Sequence, residues 1–121
     1  MDKVLVIDDD HDILDLVKLI LTRKGIDVIV SSEPGVVKET IKTNNPNLLL
    51  MDISMGTFDG RYLCSQLKKD PEFSFLPVIL FSANKIDLHS ITESGADDFL
   101  QKPFDINSLV DIINAHLPVM K

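Results

Sequence analysis

Three short strand candidates in this sequence, two of them unbroken apolar runs, lead into residues that can do chemistry. Leu48-Leu49-Leu50-Met51 runs into Asp52, Val4-Leu5-Val6-Ile7 into Asp8-Asp9-Asp10, and Phe99-Leu100-Gln101 into Lys102-Pro103. A run that short and that apolar reads as a strand buried on both faces. In open α/β sheets, ligands bind at the carboxyl ends of such strands. Adjacent carboxylates such as Asp8 and Asp9 repel each other unless a cation or a proton compensates. A hard, oxygen-seeking Mg²⁺ suits them, because it accepts few carboxylates and keeps several waters. A carboxylate at Asp52 can form a covalent acyl phosphate. Lys102 can neutralise phosphoryl charge, and Pro103 can fix the loop that aims it, a cis bond being one way. Ser82, following Val78-Ile79-Leu80-Phe81, offers a hydroxyl to a phosphoryl oxygen. The set implies a divalent metal and a phosphoryl group at one sheet edge, with Asp52 as the reactive centre.

Taken singly, each of these residues has an ordinary structural reading as well. Asp8-Asp9-Asp10 also fits a solvated acidic turn with Asp10 capping a helix. Asp52 and Ser82 could be strand-end residues that serve turns, Lys102-Pro103 a surface turn, and Phe99 a core aromatic. Only their coincidence raises the chemical reading. His11, His89 and His116 are scattered and receive no ligand or base role. Cys64 has no His near it in sequence and reads as a small helix-packing residue.

The elements that must hold these groups can be traced along the chain. Strands are predicted at Lys3–Ile7, Asp27–Val30, Leu48–Asp52, Val78–Phe81 and Asp98–Gln101. Between them, helices are predicted from Asp12 to Lys24, from the Ser32-Glu33-Pro34 opening to Thr43, over Arg61–Lys69 and, short and weakly patterned, over Leu88–Ser94. A last helix is capped by Asp105. The first helix shows Ile13, Val17, Ile20 and Leu21 on one face, and the last shows Ile106, Leu109, Val110, Ile113 and Leu117. Gly25 terminates the first helix, Asp70-Pro71 breaks the third, and Ser54–Phe58 is a loop. Alternating strands and helices with short connections imply a parallel sheet covered on both faces.

The 121 residues suit one domain, residues 1–121, with no linker, repeat or second domain. Hydrophobic residues at 45% supply a core, yet no apolar run is long enough to span a membrane. The Met1-Asp2-Lys3 start runs straight into a strand and leaves no room for a signal peptide. The single cysteine excludes an internal disulfide and fits a reducing cytosol, hence a cytoplasmic protein. A net charge of −7 repels phosphate backbones, which argues against direct nucleic-acid binding.

Val4–Asp9, Leu48–Asp52, Met55, Asp59-Gly60, Ser82-Ala83, Gly95-Ala96-Asp97-Asp98-Phe99 and Lys102-Pro103-Phe104 together resemble the response-regulator receiver domain of two-component signalling. They occur in the family's order over nearly the whole chain. The resemblance implies a doubly wound, flavodoxin-like parallel sheet of order 2-1-3-4-5. It implies that Asp52 is the phosphoacceptor and that Asp9 ligates Mg²⁺ directly. Asp52 and the backbone carbonyl of Ser54 would assist, with Asp8 acting largely through water. It implies that Lys102 holds the phosphoryl group, that Ser82 is the switch hydroxyl, and that Phe99 is the switch aromatic. The partners would be a histidine kinase or phosphotransfer protein and a downstream effector protein. The domain would be a switch with its own phosphorylation and dephosphorylation chemistry rather than an enzyme turning over a substrate.

Two features depart from the family pattern. Gly56 follows Met55 where proline is usual, and is expected to loosen the loop after Asp52. The segment from Ser82 to Gly95 is about two residues short, which shortens the helix there or its loop. That helix must be held by Ile91, with Leu88 as a further candidate. The competing enzyme reading is a Mg²⁺-dependent phosphohydrolase of the haloacid-dehalogenase type. Its support is Asp8-x-Asp10 after a strand, but His11-Asp12 follows where that type has Gly-Thr. A non-phosphorylated binding module on the same fold is the third reading. The complete acid, hydroxyl and lysine set argues against it.

Overall fold

In the computed structural model, which describes residues 2–117, the chain runs β1 (Lys3–Ile7), α1 (His11–Arg23), β2 (Asp27–Ser31), a 3-10 turn (Pro34–Val36), α2 (Val37–Asn44), β3 (Leu48–Asp52), β4 (Ser54–Met55), β5 (Phe58–Asp59), α3 (Gly60–Lys69), β6 (Val78–Ser82), α4 (Leu88–Ser94), β7 (Asp98–Gln101) and α5 (Ile106–His116). Of the expected domain 1–121, Met1 and residues 118–121 lie outside the described residues. The five long strands form one parallel sheet, ordered β2-β1-β3-β6-β7. This is the flavodoxin-like order that the resemblance implied.

The two-residue period of the strands divides the core into two layers. Val4, Val6, Leu48, Leu50, Ile79 and Phe81 face Leu14, Val17, Ile20 and Leu21 of α1 and Leu109 and Ile113 of α5. Leu5, Ile7, Leu49, Met51, Val78 and Leu80 face Val37 and Ile41 of α2, Cys64 and Leu67 of α3, and Ile91 of α4. The central strand β3 is buried along its whole length. Each such leucine removed from water is worth about 1.5–3 kcal/mol, so the strand that carries Asp52 is anchored from both sides.

Side-chain caps set the helix starts. Asp10 accepts from the Asp12 N–H, Asp59 from Arg61, Asp87 from His89 and Asp105 from Ser108, all at 2.7–3.0 Å. Gly25, with φ 81°, follows the end of α1 as expected.

Five expectations are corrected. The second helix does not open at Pro34: a 3-10 turn occupies Pro34–Val36, and α2 starts at Val37. Gly35 lies under Phe58, where an added Cβ would stand 3.3 Å from the ring. The loop Ser54–Phe58 is a small antiparallel hairpin, pairing Ser54 with Asp59 and Met55 with Phe58. Gly56 turns it at φ 61°, so the glycine shapes a closed two-residue turn rather than a loosened loop. On α1 the fully buried face uses Leu14, while Ile13 is only partly buried. On α5, Ile106 is 54% exposed, outside the face carried by Leu109 and Ile113.

Candidate functional site

Strand register brings the site together. Ile7 pairs with Met51, so Asp8 emerges beside Asp52. Asp52 pairs with Phe81, which sets Ser82 one residue further out on the neighbouring strand. Ser82 pairs with Gln101, which places Lys102 just past the end of β7. Carboxylate oxygens of Asp8, Asp9 and Asp52 come within 4.8 Å of one another. Asp8 and Asp52 are buried and Asp9 is exposed.

The Lys102 ammonium closes this cluster. It donates to Oδ2 of Asp8 at 2.9 Å and lies 3.6 Å from Oδ1 of Asp52, with its side chain 12% exposed. The other Asp8 oxygen accepts the Asp10 N–H at 2.9 Å. Oδ1 of Asp52 accepts the Ile53 N–H at 2.9 Å. The peptide bond between Lys102 and Pro103 is cis.

Electrostatics set the state of Asp52. Burial pushes its carboxyl up, and the Asp8 charge adds to this. Lys102 and the Ile53 N–H pull the other way, and the balance raises Asp52 to about 6. Three carboxylates against one ammonium leave an excess of negative charge in a largely buried pocket. An all-oxygen donor set of this kind fits a hard divalent cation such as Mg²⁺.

Ser82 is buried, and its hydroxyl oxygen accepts the Asn84 N–H at 3.1 Å. The Asn84 side-chain amide reaches Oγ of Ser54 at 3.5 Å, across the site. Phe99 is half-buried and packs on the α3–α4 side of the sheet, away from the carboxylates. Cys64 is buried, as expected of a packing residue, and burial pushes its thiol up to about 11.

Comparison with known proteins decides what this arrangement is. The profile of the response regulator receiver domain matches residues 4–114. The chain belongs to that family. Its function is therefore that of a receiver in two-component signal transduction, a family of phosphoacceptor domains. The transcriptional regulatory protein YxdJ of Bacillus subtilis is 27% identical to this receiver over 119 residues, 97% of the chain and 51% of that protein. The chain thus spans about half the length of this curated relative. The receiver domain of the Francisella response regulator 1452 superposes with a TM-score of 0.83 at 34% identity, covering 95% of either chain. The BeF3-activated N-terminal receiver domain of Klebsiella pneumoniae RstA gives 0.87 at 26% identity, covering 98% of this chain and 100% of that one. Among the described residues, no helix of this receiver is long and apolar enough to cross a membrane.

Three features of the receiver's site escape a reading of the sequence. The Gln101 side chain donates to the carbonyls of Ser82, Asn84 and Lys102 at 2.9, 3.3 and 3.2 Å, tying the loop after β6 to the end of β7. Arg61 joins Asp59 to Ser90 and so links the hairpin to α4. The ring of Phe81 lies under the Lys102 ammonium. A glutamine beside the lysine was the one available signal for the first. The other two depend on strand register and helix placement, which no local pattern encodes.

Proposed function

We propose that this receiver accepts a phosphoryl group on Asp52 and uses it to control a partner protein. The observation that carries the reading is the convergence of Asp8, Asp9 and Asp52 on one ammonium, Lys102, at the carboxyl edge of the sheet. The contacts of Asp52 with Ile53 and Lys102 both fall on Oδ1. That leaves Oδ2 as the oxygen to attack phosphorus. A new P–O bond forms there as the P–N bond of a phosphohistidine donor breaks. The leaving imidazole keeps the bonding electron pair, and the product is an acyl phosphate. Catalysis of this kind is mainly positioning and charge stabilisation. Asp9, Asp52 and the backbone carbonyl of Ser54 would hold Mg²⁺, with Asp8 acting through water. When bound, the ion supplies positive charge toward the phosphoryl oxygens. Lys102 shares that work.

In this reading, Ser82 gives up the Asn84 N–H and turns toward the phosphoryl oxygen, while Phe99 rotates inward. The acyl phosphate later hydrolyses, which resets the switch. A histidine kinase or phosphotransfer protein would supply the phosphoryl group, and a separate effector protein would read the switched face. We place these events in the cytoplasm. Incubation with acetyl phosphate and Mg²⁺ should add the mass of one phosphoryl group, and Asp52→Asn should remove the adduct. An adduct that persists in Asp52→Asn would overturn the assignment.

A further inference from the structure

Lys102 cannot reach its carboxylate partners without crossing another strand. It follows β7, while Asp8 follows β1 and Asp52 ends β3, and β6 lies between. The β6 residue in register with Asp52 is Phe81. Phe81 faces the same layer as Leu50 and Ile79 and is fully buried. The Lys102 ammonium stands over this ring, 4.4 Å from its centroid. The turn that carries the lysine touches the ring a second time, because Phe104 packs on Phe81 at 6.3 Å between centroids with the planes tilted by 43°.

Two other lysines, Lys38 and Lys42, lie near the Phe73 ring, at 5.6 and 5.9 Å. Both are largely solvated, with side chains 43% and 56% exposed, against 12% for Lys102. Cation–π attraction grows as the pair is desolvated. Phe81 is therefore the aromatic ring whose face bears on a cation with chemical work to do. A leucine or valine at this place would be equally apolar but smaller, and would offer the ammonium no negative π face.

We infer that Phe81 is a positioning residue for Lys102. Its ring face holds the ammonium at the height where it bonds Asp8 and stands next to Asp52, ready for an arriving phosphoryl group. The inference rests on the proposed role of Lys102. It adds that the electron density of one core aromatic sets how well the lysine performs that role. Phe81 touches no reacting atom and acts through the lysine alone.

The test replaces Phe81 with phenylalanines carrying one, two and three ring fluorines, which drain the π face while nearly preserving shape. Phosphorylation of the whole chain by acetyl phosphate at saturating Mg²⁺ should slow at each step, with an unchanged melting temperature. The trifluoro variant and Phe81→Leu should be roughly threefold or more slower than wild type. A spectroscopic arm needs no turnover: the Lys102 ε-methylene protons should resonate upfield in wild type and return toward ordinary values in Phe81→Leu. Rates that stay flat across the fluorine series, or ε-methylene shifts that do not respond to loss of the ring, would overturn the inference. Loss of labelling in Lys102→Ala together with a flat fluorine series would leave the proposed function standing and remove only the part given to Phe81. Undiminished labelling in Lys102→Ala would remove both roles.

Discussion

Lys102 bonds Asp8 rather than Asp52. The ammonium is 2.9 Å from Oδ2 of Asp8 and 3.6 Å from Oδ1 of Asp52. The charge of Asp8 is thus the better compensated, and Asp52 carries more of the cost of crowding acids in a buried place. Its carboxyl stands near 6, first because of burial and then because of Asp8.

This cost predicts a stabilising substitution. A carboxyl raised from 3.8 to about 6 binds more protons folded than unfolded between those values. Stability therefore falls as pH rises through that window. In chelator, at pH 7, Asp52→Asn should be more stable than wild type by on the order of 1–3 kcal/mol. The difference should shrink as pH drops from 6 toward 4 and vanish below. Denaturant melts at several pH values check it. A destabilised Asp52→Asn at pH 7 would mean that the carboxylate is better compensated than its surroundings indicate.

The three consecutive acids after β1 should separate by function. Asp9 contributes an oxygen to the carboxylate cluster, whereas Asp10 spends its side chain on the Asp12 N–H at the start of α1. Asp9→Ala is expected to abolish Mg²⁺ binding, measured by titration calorimetry. Asp10→Ala should cost about 1 kcal/mol of stability and leave Mg²⁺ affinity nearly intact. Equal losses of affinity would show that the acids are wrongly assigned.

The strands and most caps could be read from the sequence because their signals are local. Leu48–Met51 is an unbroken apolar run, and in the fold it is buried from both sides. Asp10 and Asp105 precede periodic apolar positions and do cap those helices. Asp8, Asp52, Ser82 and Lys102 could be read as one site because each ends or follows a strand, and parallel strands deliver their carboxyl ends to one edge. What could not be read depends on register or on contacts between distant elements. Phe81 looks like any core aromatic until its pairing with Asp52 and the path of Lys102 are known. The hairpin at Ser54–Asp59 has strands of two residues, too short for any period. Gly56 suggested freedom, but its left-handed backbone is what a tight turn needs.

Asp97 ties three elements at the far end of the sheet, and its loss should be felt in stability rather than in phosphorylation. It accepts the Lys68 ammonium and the Val78 N–H, each at 2.8 Å, and Lys68 also donates to the Leu76 carbonyl. Burial alone would raise this carboxyl, but the two donors outweigh it and hold Asp97 below its ordinary 3.8. A depressed carboxyl stabilises the fold above its unfolded value, and the contribution is lost as pH falls through the folded value. Asp97→Ala should cost about 1–3 kcal/mol at neutral pH by leaving the Val78 donor without its partner. That gap should close under acid conditions, below 3.8. A gap independent of pH would mean that packing, not charge, is what Asp97 provides.

Helix α4 is the element most poised to respond at the site. It has seven residues, and β-branched Ile91 and Thr92 lower its intrinsic propensity. A helix this short does not hold in isolation, so tertiary contacts must keep it folded. Ile91 and Ser94 are buried and supply them, whereas Leu88 is 67% exposed and does not share that work as expected. Beyond these, Arg61 reaches Ser90 and Gln101 holds the carbonyls of the preceding loop. A segment with so few buried apolar contacts opens locally at low cost in free energy. Amides from Asn84 to Ser94 should therefore exchange fastest among the interior elements of the resting protein. Beryllofluoride with Mg²⁺ should slow them as Ser82 is drawn toward the bound group, and Gln101→Ala should speed them in the resting state. Hydrogen exchange followed by mass spectrometry reads all three effects. Protection changes centred on α1, with Asn84–Phe99 unaltered, would place the responsive face elsewhere.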